Sequence, residues 1–215
     1  MTGGRTAPAI AVMAKAPVAG FAKTRLAPVL GPDGAAALAL RLLQHAVAQA
    51  AAPAAAGLGP VTLWATPDTR HPVFAQLQAL HGLTLAVQGQ GDIGQRMARV
   101  FAQSFAQTGG PLLLMGSDLP GLSAAVLRDA AAALAGHDAV FVPALDGGYG
   151  LVGLHRPLPG LFDGVAWSTP QVMAQTRQRL AACGLRHAEL PPLPDIDEPA
   201  DLVHLPAGWC PPRLG

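Results

Sequence analysis

The sequence predicts an α/β fold: a mostly parallel central sheet with helices on both faces and a small antiparallel part after residue 145. Three observations carry this. Short apolar runs bounded by glycine and proline alternate four times with segments of helical period, at intervals of roughly 25 to 30 residues, which is the rhythm of βαβ units. The chain has 215 residues, 51% hydrophobic and 13% charged, enough to bury a sizeable core and too apolar to stay disordered. After Tyr149 the next apolar run follows its predecessor too closely for a helical crossover, so it returns antiparallel or displaced. No internal repeat or linker divides the chain, so one domain over 8–206 is expected, with 1–7 and 207–215 as tails.

The elements follow in order. Residues 9–14 are an apolar run and the first strand. Residues 15–25 form a loop punctuated by Pro17 and Gly20. Alanines and leucines at helical spacing over 34–52 give the first helix, with Asp33 as its N-cap. Strand 61–66, helix 71–81 and strand 83–87 come next. Helix 92–107 is amphipathic, with Ile93, Met97, Val100, Phe101 and Phe105 on one face. Strand 112–115, a capped helix over 123–135 and strand 139–142 complete the alternating part. Residues 149–154 are the returning strand, and 170–182 the last long helix, with Ser168 or Thr169 as its N-cap. Residues 191–199 are proline-rich and carry three acids, with a short helix starting near Pro199.

Several function classes are disfavoured by composition. A net charge of +1 argues against a basic nucleic-acid surface and a polybasic membrane anchor. No run reaches about 18 uninterrupted apolar residues, so no membrane span is expected. Cys183 and Cys210 stand apart without a CxxC, and no secretory signal pattern opens the chain, so a reducing cytoplasm is the expected compartment. The histidines are scattered without HxH or HExxH, which disfavours zinc catalysis.

Ligands of open α/β sheets bind outside the carboxyl ends of the strands, and the unusual loops of this sequence all fall there. Of the 14 basic residues only Lys15 and Lys23 are lysines, and both lie in the first loop with Arg25. Three positive charges beside small residues are suited to phosphate, although the spacing is not that of a Walker A loop. Gly89-Gln-Gly91-Asp-Ile-Gly94 satisfies GxGxxG, with Asp118 further on as the acidic partner of a dinucleotide fingerprint. Against that reading, the motif lies in the third unit of the sheet, and Asp92 puts a carboxylate where a pyrophosphate would sit. Asp92 also suits the N-cap of the next helix. Asp118 ends the fourth strand, where a carboxylate can ligate Mg²⁺ or Mn²⁺ or simply make a turn. Asp195-Ile-Asp197-Glu198 offers three more acids, but joint chelation by Asp195 and Asp197 is expected to need a bend in the chain. Asp146-Gly147-Gly148-Tyr149 joins an acid, flexible backbone and the only tyrosine, in either a substrate-facing element or a tight hairpin.

Six segments occur together and in order: 15–26 with both lysines, Gly91-Asp-Ile-Gly-Gln-Arg-Met97, Gly116-Ser-Asp-Leu-Pro120, Asp146-Gly-Gly-Tyr149, Trp167-Ser-Thr169 and Asp195-Ile-Asp197. Over residues 10–203 the chain resembles the bacterial GT-A-type family labelled arsenosugar-biosynthesis glycosyltransferases. That family is similar in turn to the guanylyltransferases that make the phospholactate part of coenzyme F420. The resemblance implies a nucleotide-diphospho-sugar transferase-like fold and a divalent metal, Mg²⁺ or Mn²⁺. It implies phosphate or nucleotide contacts from Lys15, Gly20, Lys23, Thr24, Arg25 and Gly91, and an acceptor side of Asp146, Gly147, Gly148, Tyr149 and Ser168. Asp118, Asp195 and Asp197 would hold the metal, and Asp118, Lys23 and Asp146 would act in the transfer. The strand-four acid stands as Ser117-Asp118 where typical GT-A glycosyltransferases have DxD. The expected partners are therefore a nucleotide or nucleotide-sugar donor and a small-molecule acceptor. A nucleotidyltransferase acting on a phosphorylated hydroxy acid and a nucleotide-binding module without turnover are the alternatives.

Overall fold

The computed structural model describes residues 6–158 and 160–209. Seven strands form one sheet in the order β3-β2-β1-β4-β6-β5-β7. The strands are β1 Ala9–Lys15, β2 Val61–Thr66, β3 Thr84–Val87, β4 Leu112–Gly116, β5 Ala139–Pro143, β6 Tyr149–Leu154 and β7 His187–Glu189. The helices are α1 Ala27–Ala55, α2 Pro72–His81, α3 Ile93–Thr108, α4 Ala124–Leu134 and α5 Val172–Ala182, with 3₁₀ turns at Thr24–Leu26 and Pro199–His204. β1 pairs parallel with both β2 and β4, so the strand order reverses beside β1 and opens a crevice at the carboxyl ends of β1 and β4. The early return is as expected: β6 runs antiparallel to both β4 and β5. The short β7, which the sequence analysis did not foresee, pairs parallel with β5 at the sheet edge.

Both faces of the sheet are covered. On one, Leu43, Val47 and Ala50 of α1 and Leu127 and Leu134 of α4 pack on Ile10, Val12, Leu63 and Val140. On the other, Met97, Val100 and Phe101 of α3 and Met173 and Leu180 of α5 pack on Ala11, Trp64, Leu114 and Phe141. Near-continuous Val, Leu, Ile and Ala in the central strands follow from burial on both faces.

Three expectations need correction here. Asp33 is not an N-cap: the helix breaks at Gly31 (φ 69°, ψ 164°) and resumes with Pro32, whose fixed φ fits the first turn. By length and composition alone Thr24–Ala55 is long and apolar enough to span a membrane, although no uninterrupted apolar run marks it. Here its buried stripe of Leu38, Leu42, Leu43 and Val47 faces protein. Neither Ser168 nor Thr169 caps α5, which starts after Gln171 without a side-chain cap. Thr169 instead donates its hydroxyl to the Ala166 carbonyl at 2.6 Å. Residues 207–209 are not merely a tail, since Trp209 packs with Leu202 and Leu205 against the α1 cluster and meets Arg41 and His45. Cys183 is a free, exposed thiol, and Cys210 lies outside the described residues.

Candidate functional site

Two adjoining cavities open at the carboxyl ends of the strands. The larger, about 500 Å³, is lined by Lys15, Lys23, Thr24 and Arg25 from the first loop, Asp118 after β4, Gln88 after β3, and Arg96 and Met97 at the start of α3. The smaller, about 420 Å³, is lined by Asp146, Asp195, Asp197, Glu198 and Asp201, with Arg25 and His204. Arg25, Ser168 and Asp197 line both.

Lys23 is the centre of charge. Its backbone is left-handed (φ 50°, ψ 41°), uncommon for a residue with a side chain, and its side chain is only 6% exposed. The ammonium lies 2.8 Å from Asp118 Oδ1 and 3.6 Å from Asp197 Oδ1. It makes no well-directed hydrogen bond, so charge alone holds it. Arg25 takes the other oxygen of Asp197 at 3.0 Å and Glu198 Oε1 at 3.4 Å. Ser168, the second left-handed residue with a side chain (φ 61°), borders the same space. Backbone of this kind collects where surrounding structure holds a site in one geometry. Lys15 stands apart, exposed, with its ammonium 4.5 Å above the Phe21 ring.

Ile196 anchors the segment that carries Asp195 and Asp197. It is fully buried with Leu26, Leu30, Leu38 and Leu42, and its N–H donates to the Asp118 carbonyl at 3.0 Å. Both flanking acids line the second cavity, and of the two Asp197 also pairs with Lys23 and Arg25. The three-carboxylate metal group expected of Asp118, Asp195 and Asp197 is not assembled. Among the described residues no three His, Cys, Asp or Glu side chains gather as a metal site. Asp118 and Asp197 do converge, and the ammonium between them stands in for a cation. Two carboxylates completed by substrate phosphates are a usual donor set for Mg²⁺, so this pair fits a divalent ion and Asp195 does not join it.

Burial, then the Asp146 carboxylate, raise the Asp195 pKa from 3.8 to about 6. The folded state therefore binds a proton that the unfolded state has lost between these values, and stability falls as pH rises through that window. The full shift corresponds to about 3 kcal/mol. Screening at a half-buried carboxyl reduces that to about 1 kcal/mol. Asp195→Asn should raise the melting temperature by about 2–4 °C at pH 7.5 and leave it unchanged at pH 4. Thermal unfolding at the two pH values checks this, and an equal shift at both would refute it.

Other expected site residues fall into two groups. Thr24 and Arg25 line the first cavity, but Gly20 and Gly91 are not among its lining residues. Asp146 lines the second cavity, with Oδ1 accepting the Gly148 N–H at 2.8 Å. Gly147 is sealed under Pro170, and its carbonyl accepts the Met173 N–H at 2.9 Å. Tyr149 lines the first cavity, but its hydroxyl is buried beside Thr176 without a partner, and burial raises its pKa. Its polar end is thus packed under α5 and does not face an acceptor.

The glycine-rich turn is no dinucleotide site. Asp92 accepts from the Gln95 N–H at 2.8 Å and Gln95 Oε1 accepts from the Asp92 N–H at 3.1 Å, a capping box that occupies the helix start a pyrophosphate would need. Gly94 is needed for packing instead, since a Cβ there would come within 2.4 Å of the Trp167 indole nitrogen.

Gln88 and Arg96 are cavity residues the sequence reading missed as site residues. Gln88 is buried, its amide donating to the carbonyls of Ala14 at 3.0 Å and Trp64 at 2.8 Å. Its Oε1 accepts from Arg96 at 3.4 Å. A polar residue closing an apolar strand was the available signal.

This architecture is that of the nucleotide-diphospho-sugar transferase-like folds. A crystal structure from Desulfovibrio desulfuricans G20, described as a candidate nucleotide-diphospho-sugar transferase, is 30% identical, with a TM-score of 0.78 over 92% of this chain and 85% of that one. The 4-diphosphocytidyl-2C-methyl-D-erythritol synthase of Anaerococcus prevotii DSM 20548 shares the fold at 8% identity, TM-score 0.61, over 92% of this chain and 95% of that one. So does the glucosyl-3-phosphoglycerate synthase of Mycobacterium tuberculosis, solved with Mn²⁺, UDP and glucosyl-3-phosphoglycerate, at 12% identity, TM-score 0.53, over 93% of this chain and 75% of that one. The family model for uncharacterized proteins conserved in bacteria, DUF2064, matches residues 37–169, and the chain belongs to that family. No curated protein matches the sequence.

Proposed function

We propose that this chain is a transferase that binds a nucleotide-activated donor in the larger cavity and passes its glycosyl group to a small acceptor held in the smaller one. One observation carries the reading. Lys23 and Arg25 meet Asp118 and Asp197 at the crevice where the strand order reverses, and Lys15 lines the same cavity, so phosphate-binding cations and a carboxylate pair share one site. The 30%-identical relative from D. desulfuricans G20, described as a candidate nucleotide-diphospho-sugar transferase, supports a nucleotide-using transferase.

The second cavity favours glycosyl over nucleotidyl transfer to a phosphorylated acid. Asp146, Asp195, Asp197, Glu198 and Asp201 face it against one permanently charged cation, Arg25, itself paired with Asp197 and Glu198. A dianionic acceptor would be repelled there, whereas a neutral or cationic polyhydroxylated molecule would not. In the reaction the acceptor oxygen bonds to the anomeric carbon, the bond from that carbon to the diphosphate breaks, and a nucleoside diphosphate leaves. Lys15, Lys23 and Arg25 bind and orient the diphosphate and offset its growing charge. Mg²⁺ or Mn²⁺ bound by Asp118 and Asp197 would supply further neutralisation of the leaving group. Asp146 and Asp195 face the acceptor space. Asp195, with a pKa near 6, is ionised at neutral pH yet basic enough to take the acceptor proton.

The test is thermal stabilisation by nucleoside triphosphates, UDP- and GDP-sugars and NAD(H), each with and without Mn²⁺. A ligand at 100 times its Kd contributes about 2.7 kcal/mol, a rise of about 5–10 °C for a chain of this size. A metal-dependent shift with one sugar nucleotide is expected. A shift with triphosphates alone would replace glycosyl by nucleotidyl transfer, and nucleotide binding indifferent to Mn²⁺ would indicate a module without turnover.

A further inference from the structure

The two lysines of the first loop are held in opposite states. The Lys15 side chain is exposed, in contact with the Phe21 ring, and free to meet a phosphate. Lys23 is buried, strained at φ 50°, and placed between two acids that are themselves 46% and 41% exposed. Water could solvate either carboxylate, so the acids do not need the lysine. The buried ammonium does need the acids, since it has no directed hydrogen bond. A divalent ion on Asp118 and Asp197 would have to occupy the position that the ammonium now fills. Two cations cannot share it, and only one of them is tethered.

From this we infer that Lys23 is an internal competitor for the cation site: it fills the Asp118–Asp197 position in the ligand-free chain and yields it to a divalent ion when donor phosphates offer the ammonium another partner. The inference rests on the proposed reading of the larger cavity as a phosphate and metal site. It makes metal and nucleotide bind with positive coupling, because each favours the state with Lys23 withdrawn. A site arranged this way keeps its carboxylates neutralised when empty and holds a metal more weakly without donor than with it.

Mn²⁺ alone, titrated into the ligand-free protein and read from the electron paramagnetic resonance of the free ion, tests the competition. Lys23→Gly removes the ammonium at a backbone angle glycine prefers, and Lys23→Gln removes the charge with less change of shape. Both should bind Mn²⁺ at least tenfold more tightly than the wild type, and adding Asp118→Asn should abolish the gain. Unchanged affinity, no Mn²⁺ binding in any variant, or a gain that survives Asp118→Asn would overturn the inference.

A second measurement needs no variant. The chain has only two lysines. An amine-acylating reagent followed by peptide mapping should modify Lys23 at least tenfold more slowly than Lys15, and Mn²⁺ should speed the modification of Lys23. Equal rates, or no effect of Mn²⁺, would count against the competition. If nucleotide still stabilises the protein while these tests fail, the proposed function stands and the competition falls.

Discussion

Asp118→Asn should lower turnover on the order of a thousandfold, the size of effect seen when a charge-stabilising group is removed from a transfer site. Asp118 is the acid at the end of β4 and touches the buried Lys23 ammonium at 2.8 Å. Asparagine preserves shape and removes the charge, so it takes away half of the carboxylate pair and the electrostatic partner of Lys23 together. Structure should survive. Asp197 remains 3.6 Å from the ammonium, and Asp118 is 46% exposed, so water reaches the gap. A stability loss of about 1–2 kcal/mol is expected, between the figures for exposed and buried pairs. The check is steady-state turnover with the donor identified by thermal stabilisation, beside an unfolding curve of the same sample. Retained activity would remove Asp118 from the chemistry. Lost activity with an unfolded protein would show instead that the pair is structural.

Much of the fold is legible in the sequence because its signals are local. The runs over 61–66 and 149–154 are strands β2 and β6 to the residue, bounded by turn chemistry. Asp92 and Ser123 cap α3 and α4 through their side chains. What is missed depends on partners distant in sequence. β7 is three half-exposed residues that pair only because β5 offers an edge. Asp33 has the right residue type for a cap, but Gly31 and Pro32 decide where the helix resumes.

The candidate site divides in the same way. Its location is legible, since every unusual loop falls at the carboxyl end of a strand. Its internal grouping is not. Asp195 and Asp197 stand at i and i+2, which share a face of an extended chain, and both line the second cavity, but only the fold shows that Asp197 also reaches Lys23 and Arg25. Tyr149 shows the converse. As the only tyrosine, beside glycines and an acid, it attracts a functional reading, yet Phe141 packs on its ring and its hydroxyl is buried beside Thr176. Gln88 and Arg96 escape notice because an amide at the end of a strand has meaning only once the carbonyls of Ala14 and Trp64 are beside it.

Gly147→Ala is the substitution expected to cost the most stability, and it separates the two readings of the Asp146–Tyr149 turn. Gly147 sits at φ 92°, where an alanine is strained by about 1 kcal/mol. A Cβ there would lie 2.4 Å from the Pro170 carbonyl oxygen and 2.6 Å from its Cα. Those are backbone atoms that cannot rotate away, and forced overpacking of this kind adds about 1–3 kcal/mol. The Met173 N–H, in the first turn of α5, donates to the Gly147 carbonyl, so the displacement would travel into that helix. A total near 3 kcal/mol corresponds to a fall of about 6–12 °C in melting temperature. Gly148→Ala is the matched control, since its nearest contact is the Asp146 side chain at 3.1 Å, and it should shift melting by no more than a few degrees. If Gly147→Ala melts like the wild type and only activity falls, the glycine serves the approach of a ligand. A large melting shift with a neutral Gly148→Ala would make the turn the fastening of α5 beside the second cavity.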